Sequence, residues 1–149
     1  IYELHQFLTE RFGFASAEEV LSGRGLGHIY GFLAALDPRQ PFPSSHHIMT
    51  QLQSDPHARK SIDIMLEVLG CVSGNLALTH LPFGGIYLVG GMAQVLADYY
   101  HDSAFHRAFA AKGRFAEFMD QFSVHLVQDD HAPLVGCIAH LQHHGHDKL

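Results

Sequence analysis

Residues 83–92, FGGIYLVGGM, decide how this chain is to be read. Ile86, Tyr87, Leu88 and Val89 make a short β-rich apolar run of the kind that fills an interior strand, and Gly90 and Gly91 follow at once. Met92, Val95, Leu96 and Tyr99 then recur at helical spacing. The order is strand, diglycine, helix. A missing Cβ at Gly90 and Gly91 would let a planar ligand or a phosphate approach backbone that a larger residue shields. From spacing alone, a tight strand-to-helix turn accounts for the two glycines more simply.

Upstream, Pro56 after Asp55 opens the longest helical pattern, with Ile62, Leu66, Leu69, Val72 and Leu76 in one stripe, which predicts a central buried helix. From Asp37 to Pro56, Pro38, Pro41 and Pro43, the serine pair Ser44 and Ser45 and the pair His46 and His47 favour an irregular surface connection. Before it, Leu26, Ile29, Tyr30, Leu33 and Leu36 predict a helix that follows a break at Gly23 and Gly25. Ser16 and Glu19 fit a capping box on a short helix ahead of that break. Leu4, Phe7, Leu8 and then Arg11 or Phe12 predict a first helix stopped by Gly13. Downstream, Phe105, Phe109, Phe115, Phe118 and Phe122 continue at helical or near-helical spacing, Val124, Leu126 and Val127 predict a second strand, and Pro133 opens a last helix with Leu134, Ile138 and Leu141 facing inward.

Helices joined to two short strands through a helical crossover describe part of an α/β domain rather than a bundle. Two strands make a poor sheet, so either the rest of the sheet lies outside this sequence or the two pair with each other under helices. A chain of 149 residues, 47% hydrophobic, suits a single domain over 1–149. It opens at Ile1 with no basic stretch before an apolar run, so no signal peptide is expected and the opening reads as the middle of something. His, Gly, Asn and Asp interrupt every apolar run short of the roughly 18 to 20 residues that cross a bilayer, so no membrane span is expected. The net charge is -6 and the nine Lys and Arg residues are scattered, which leaves no basic surface for nucleic acid. Cys71 and Cys137, each in an apolar helical context, are expected to be buried free thiols in a reducing cytoplasm.

Glu18 falls in the first turn of its short helix, where exposed backbone N–H groups keep a carboxylate ionised and able to accept two sugar hydroxyls, although Glu at such a position is commonplace. Ser22 before Gly23 reads as a local turn or cap rather than a catalytic hydroxyl. His140, His143, His144 and His146 include one pair four apart, as metal ligands can be, but no HExxH or paired Cys accompanies them, and a solvated terminus is the simpler reading. His46 and His47 read as loop residues; Asp129 and Asp130, ahead of the last helix, have the chemistry to bind a cation, but acidic residues there more often act as caps.

Several segments together resemble the C-terminal region of bacterial glucokinases, in the actin, heat-shock protein and hexokinase superfamily. Ser16 to Leu26, SAEEVLSGRGL, resembles the family's segment ending in SG-x-GL, and Gly74 to Leu78, GNLAL, its buried helix. Phe83 to Met92 resembles the adenosine motif, and Lys112 to Phe118, KGRFAEF, and Leu134 to Leu141, LVGCIAHL, the segments that follow, the second being the connecting helix. The resemblance runs in order over nearly the whole chain. It implies a helix-rich part of an actin/hexokinase-like large domain with a short, incomplete sheet. It places Glu18 at the glutamate that hydrogen-bonds the sugar ring, and Gly90, Gly91 and Met92 beside the adenosine. Asp129 to Leu134, DDHAPL, departs from it, being a residue longer than the family's turn with Pro133 near a usual glycine.

The implied parent phosphorylates the glucose 6-hydroxyl with Mg-ATP, so glucose, ATP and Mg are the expected partners, with assembly as a homodimer. The family's aspartate base, Gly-rich phosphate loop and Glu-x-x-His motif have no counterpart here and would precede Ile1, so the chain alone is expected to be inactive. A non-catalytic assembly or regulatory role is the main alternative. A sugar-responsive repressor is disfavoured by the lack of a Cys-rich zinc segment and DNA-binding domain, and a His-based metal protein ranks third.

Overall fold

The computed structural model describes residues 1–37, 39–100, 104–129 and 131–144. Helix α1 (Tyr2–Phe12) ends as expected at Gly13, whose left-handed backbone (φ 78) returns its N–H to the Thr9 carbonyl at 2.8 Å. The capping box does not form: Ala17–Glu19 is a single 3-10 turn, Ser16 makes no side-chain cap, and the Glu19 carboxylate lies 3.4 Å from His28 Nδ1 instead.

Helix α2 (Gly23–Leu33) begins earlier and ends earlier than its apolar spacing predicts. Gly23 and Gly25 lie inside it, with Ser22 as N-cap accepting from the Gly25 N–H at 3.1 Å. Close packing explains the glycine, since a Cβ on Gly25 would sit 2.2 Å from the Val20 carbonyl oxygen. The segment 37–56 is not wholly irregular, for it holds α3 (Ser45–Thr50), capped by Ser44 and anchored by the fully buried Ile48.

Helix α4 (Pro56–His80) starts where expected, with Asp55 as N-cap and Pro56 in its first turn. Tyr30 Oη donates to Asp55 Oδ2 at 2.6 Å and so ties α2 to that start. Ile62 and Leu66 are buried, but the stripe fails further on: Leu76 is 51% exposed, and the buried positions become Gly70, Ser73, Gly74 and Ala77. The reason is α6 (Ala104–Ala110), which crosses so close that a Cβ on Gly70 would lie 2.2 Å from the Phe105 carbonyl oxygen. With that side turned inward, Cys71 faces out and is exposed, against expectation. Among the described residues α4 is also the one helix long and apolar enough, by length and composition, to cross a membrane; it is at the same time the helix on which α2 and α6 pack.

Strands β1 (Ile86–Leu88) and β2 (Val124–Leu126) pair in parallel, Ile86 opposite Val124 and Leu88 opposite Leu126. Among the described residues β1 pairs with β2 alone, so within this chain it lies at a sheet edge rather than in the interior. Ile86 and Leu88 pack on the core, while Tyr87 is 61% exposed and stacks on His125 across the outer face, centroids 4.9 Å apart. Helix α5 (Gly91–Leu96) follows directly, and Phe105, Phe109, Met119 and Phe122 close the core while Phe115 stays exposed. The last helix, α7 (Ala132–His144), reverses the expected inward face: Leu134, Ile138 and Leu141 are 61%, 48% and 68% exposed. No described element packs extensively on α7, which also leaves Cys137 exposed rather than buried.

Candidate functional site

Backbone geometry separates the two glycines of the strand-to-helix junction. Gly90, the N-cap of α5, has φ 112 and ψ 170, a conformation that side chains with a Cβ avoid, so the turn itself accounts for it. Gly91 has no such φ, and a Cβ there would meet nothing within 4 Å. Among the described residues, neither backbone strain nor packing against a Cβ calls for a glycine at position 91. Met92 next to it is half-buried and, with Leu21, Leu69 and Leu88, borders an apolar cavity of about 120 Å³.

The start of α2 meets this junction. A Cβ on Gly23 would stand 3.9 Å from Met92 Sδ and 3.8 Å from Ser45 Oγ, so the Ser22–Gly23 step, the Ser44–Ser45 step and Met92 converge. Beside them opens a cavity of about 540 Å³ bordered by Gly23, Arg24, Phe42, Ser44, Ser45 and Arg11. The Arg11 guanidinium lies 4.1 Å over the Phe42 ring centroid and forms one flat wall. His28, also on this lining, donates from Nδ1 to the Glu19 carbonyl at 2.9 Å. The lining carries two arginines and no carboxylate, so it favours anions and aromatic planes and offers no hard-cation site.

Sequence reading missed most of this wall. In the sequence Arg11 is one helix-face residue among others, and Phe42, Ser44 and Ser45 belong to a stretch whose composition favours an irregular connection. Paired serines ahead of His46, His47 and Ile48 were the available signal of a capped helix. Glu18 is exposed on its 3-10 turn and is not part of the lining of the larger cavity. A turn of three residues also lacks the summed backbone dipole expected to support its charge. Of the two expected roles, turn or cap, Ser22 takes that of the α2 cap.

Elsewhere, the Tyr30–Asp55 hydrogen bond raises the phenol above its ordinary pKa and holds the Asp55 carboxyl below its own. Asp129 Oδ1 accepts from the His131 N–H at 2.8 Å ahead of α7, in which Pro133 is the second residue; Asp130 lies outside the described residues. His46 and His47 sit on α3 rather than in a loop. His140 and His143 are exposed on α7, and His146 and the His144 side chain lie outside the description. No group of three or more His, Cys, Asp or Glu among the described residues could hold a metal ion.

Comparison with known proteins agrees in sequence and in shape. The family model described as Glucokinase matches residues 2–144. The glucokinase of Photorhabdus laumondii is 34% identical over 138 residues, which cover 91% of this chain and 43% of that protein. That of Escherichia fergusonii is 35% identical over 140 residues, 92% of this chain and 44% of that protein. The crystal structure of a glucokinase from an Antarctic psychrotroph superposes with a TM-score of 0.85 at 26% identity, over 95% of this chain and 45% of that one. The chain thus spans less than half the length of the relatives it matches, and over that span it belongs to the glucokinase family.

Proposed function

We propose that this chain is the C-terminal part of the large domain of an ATP-dependent glucokinase, with α7 as its connecting helix, and that it supplies sugar and adenosine contacts rather than the general base. One observation carries the reading: Gly23, a few residues after Glu18, comes within side-chain reach of Met92, at the edge of a cavity suited to a flat, anionic ligand. In this reading the purine lies between the start of α2 and the Phe42–Ser45 segment, and the ribose passes Met92 and Gly91, whose missing side chain leaves room for it. Glu18, on the turn that leads into α2, accepts hydrogen bonds from two adjacent glucose hydroxyls. Mg arrives with the nucleotide's phosphates, whose charge it neutralises.

Transfer of the γ-phosphoryl group to the glucose 6-hydroxyl then depends on positioning and charge stabilisation shared with parts of the fold that this chain does not contain. The product would feed glycolysis in the cytoplasm, and the full-length enzyme would work as a homodimer. A coupled assay of glucose 6-phosphate formation tests this division of labour. The purified chain should show no turnover, and a full-length protein containing it should turn over glucose with ATP. Turnover by the chain alone at a few per cent of the full-length rate would refute it.

The exposed apolar stripe of α7 favours a second reading, in which the chain is an assembly piece without turnover. Under it, the full-length protein would fold and bind sugar but phosphorylate nothing.

A further inference from the structure

The turn that carries Glu18 is too short to hold itself. Ala17–Glu19 is one 3-10 turn whose N-cap, Ser16, makes no side-chain bond, and its own bonds run from the Glu19, Val20 and Leu21 N–H groups to the Ser16 and Ala17 carbonyls. A single turn fixes several dihedrals for each hydrogen bond it gains, so it needs support from outside. Among the described residues one side chain outside the turn bonds to it. This is His28 on α2, whose Nδ1 lies 2.9 Å from the Glu19 carbonyl oxygen and 3.4 Å from Glu19 Oε2. A carbonyl oxygen can only accept, so Nδ1 carries the proton.

The ring that gives this bond is itself held in place. Its side chain is 12% exposed, and its centroid stands 4.7 Å from that of Phe12 and 6.1 Å from that of Phe42. Leu26 and Ile29, both fully buried, fix this stretch of α2 in the core. The same placement puts the ring on the wall of the larger cavity, so His28 borders that cavity on one side and grips the Glu18 turn on the other.

We propose that His28 is a positioning residue for glucose: its Nδ1–H pins the Glu19 carbonyl and thereby sets the place of Glu18, the preceding residue. The inference rests on the reading of Glu18 as the sugar contact and adds the group that holds it. A carboxylate that accepts from two adjacent hydroxyls has to meet both at about 2.5 to 3 Å, so a shift of the turn by about 1 Å spoils at least one of the two bonds. Asparagine and glutamine separate this role from mere bulk. An Asn carboxamide attaches its N–H to Cγ, as the imidazole does at Nδ1, whereas Gln carries its amide one carbon further out, toward the position of Nε2.

Calorimetry on a full-length glucokinase containing this sequence makes the test. His28→Asn should leave the glucose dissociation constant within about twofold of the unsubstituted protein. His28→Gln and His28→Leu should raise it by about 3- to 10-fold, the loss that one hydrogen bond carries. ADP affinity should not follow the same order, since all three variants take the ring from the cavity wall; a general loss of structure would lower both affinities together. Amide exchange reads the turn directly and without ligand: the Val20 and Leu21 N–H groups, both bonded to the Ala17 carbonyl, should exchange about 3- to 10-fold faster in His28→Gln than in His28→Asn. Glucose affinity lowered as much by Asn as by Gln, or equal exchange in those two variants, would overturn the role of His28. Glu18→Ala in the same protein tells which reading has failed. If it weakens glucose while His28→Gln and His28→Leu do not, the sugar contact stands and the positioning role falls. If Glu18→Ala leaves glucose affinity unchanged, the reading of Glu18 falls and this inference falls with it.

Discussion

Gly91→Val, made in a full-length glucokinase containing this sequence, separates a glycine kept for a ligand from one kept for a turn. A Cβ at Gly91 meets nothing within 4 Å among the described residues and the backbone there is not in the left-handed region, so a side chain can start there without backbone strain. At the first position of α5 the change should alter folding stability by no more than about 0.5 kcal/mol. If the nucleotide passes over this backbone, the new side chain stands where the ligand must lie. Forcing such groups into an occupied space costs about 1 to 3 kcal/mol, which corresponds to a rise of about 5- to 150-fold in the ATP dissociation constant. Glucose affinity should stay within about twofold, a change of less than about 0.5 kcal/mol. The companion Gly90→Val has the opposite signature, because φ 112 penalises a β-branched residue by about 1 to 3 kcal/mol whatever is bound, and it should lower the melting temperature without ligand. Calorimetry for each ligand and differential scanning fluorimetry of both variants make the measurement. A folded Gly91→Val protein with unchanged ATP affinity would return the diglycine to a plain turn.

Glu18→Ala should weaken glucose by about 30- to 1000-fold in the same full-length protein through loss of two charge-assisted hydrogen bonds, with ATP far less affected; equal glucose affinity in calorimetric titrations would remove Glu18 from the site. Gly70→Ala puts a methyl 2.2 Å from the Phe105 carbonyl oxygen and must push α4 and α6 apart, so urea melts should show a loss of about 1 to 3 kcal/mol or more, and an unchanged midpoint would contradict the close crossing. Asp55 has a folded-state pKa below its ordinary value because Tyr30 donates to it. Its contribution is therefore present above the unfolded-state pKa, about 3.9, and is lost as pH falls through the lower folded-state value. Asp55→Asn should accordingly flatten the fall of melting temperature below about pH 4, and an identical acid slope in the two proteins would show that the bond does not report on folding.

Local rules carried much of the fold. The left-handed glycine after α1, the Asp55–Pro56 start of α4 and the strand–diglycine–helix order are properties of a few adjacent residues, and each appears where the sequence puts it. The family was legible too, because several short motifs in the right order are far more specific than any one of them. Where reading by periodicity failed, the cause was a neighbour distant in sequence. Leu76 continues a correct helical period, yet the approach of α6 turns the helix's buried side to Gly70 and Gly74. Leu134, Ile138 and Leu141 make an apolar face of the right spacing, but spacing cannot say whether anything covers it, and no described element does so extensively.

The candidate site divides along the same line. Glu18, Gly90, Gly91 and Met92 could be marked from the sequence because their neighbours form motifs. Arg11, Arg24, Phe42 and Ser44 could not, since they come from three separate segments that share a cavity only once α1, α2 and α3 have packed. The sequence by itself determined the helix stops and starts, the strand-to-helix junction and the family, all of which rest on backbone preferences and short-range patterns. Tertiary structure alone decided which glycines are there for packing and which face of α4 is buried. It also decided which side chains surround the cavity, because burial and proximity depend on long-range contacts that no local stretch of chain encodes.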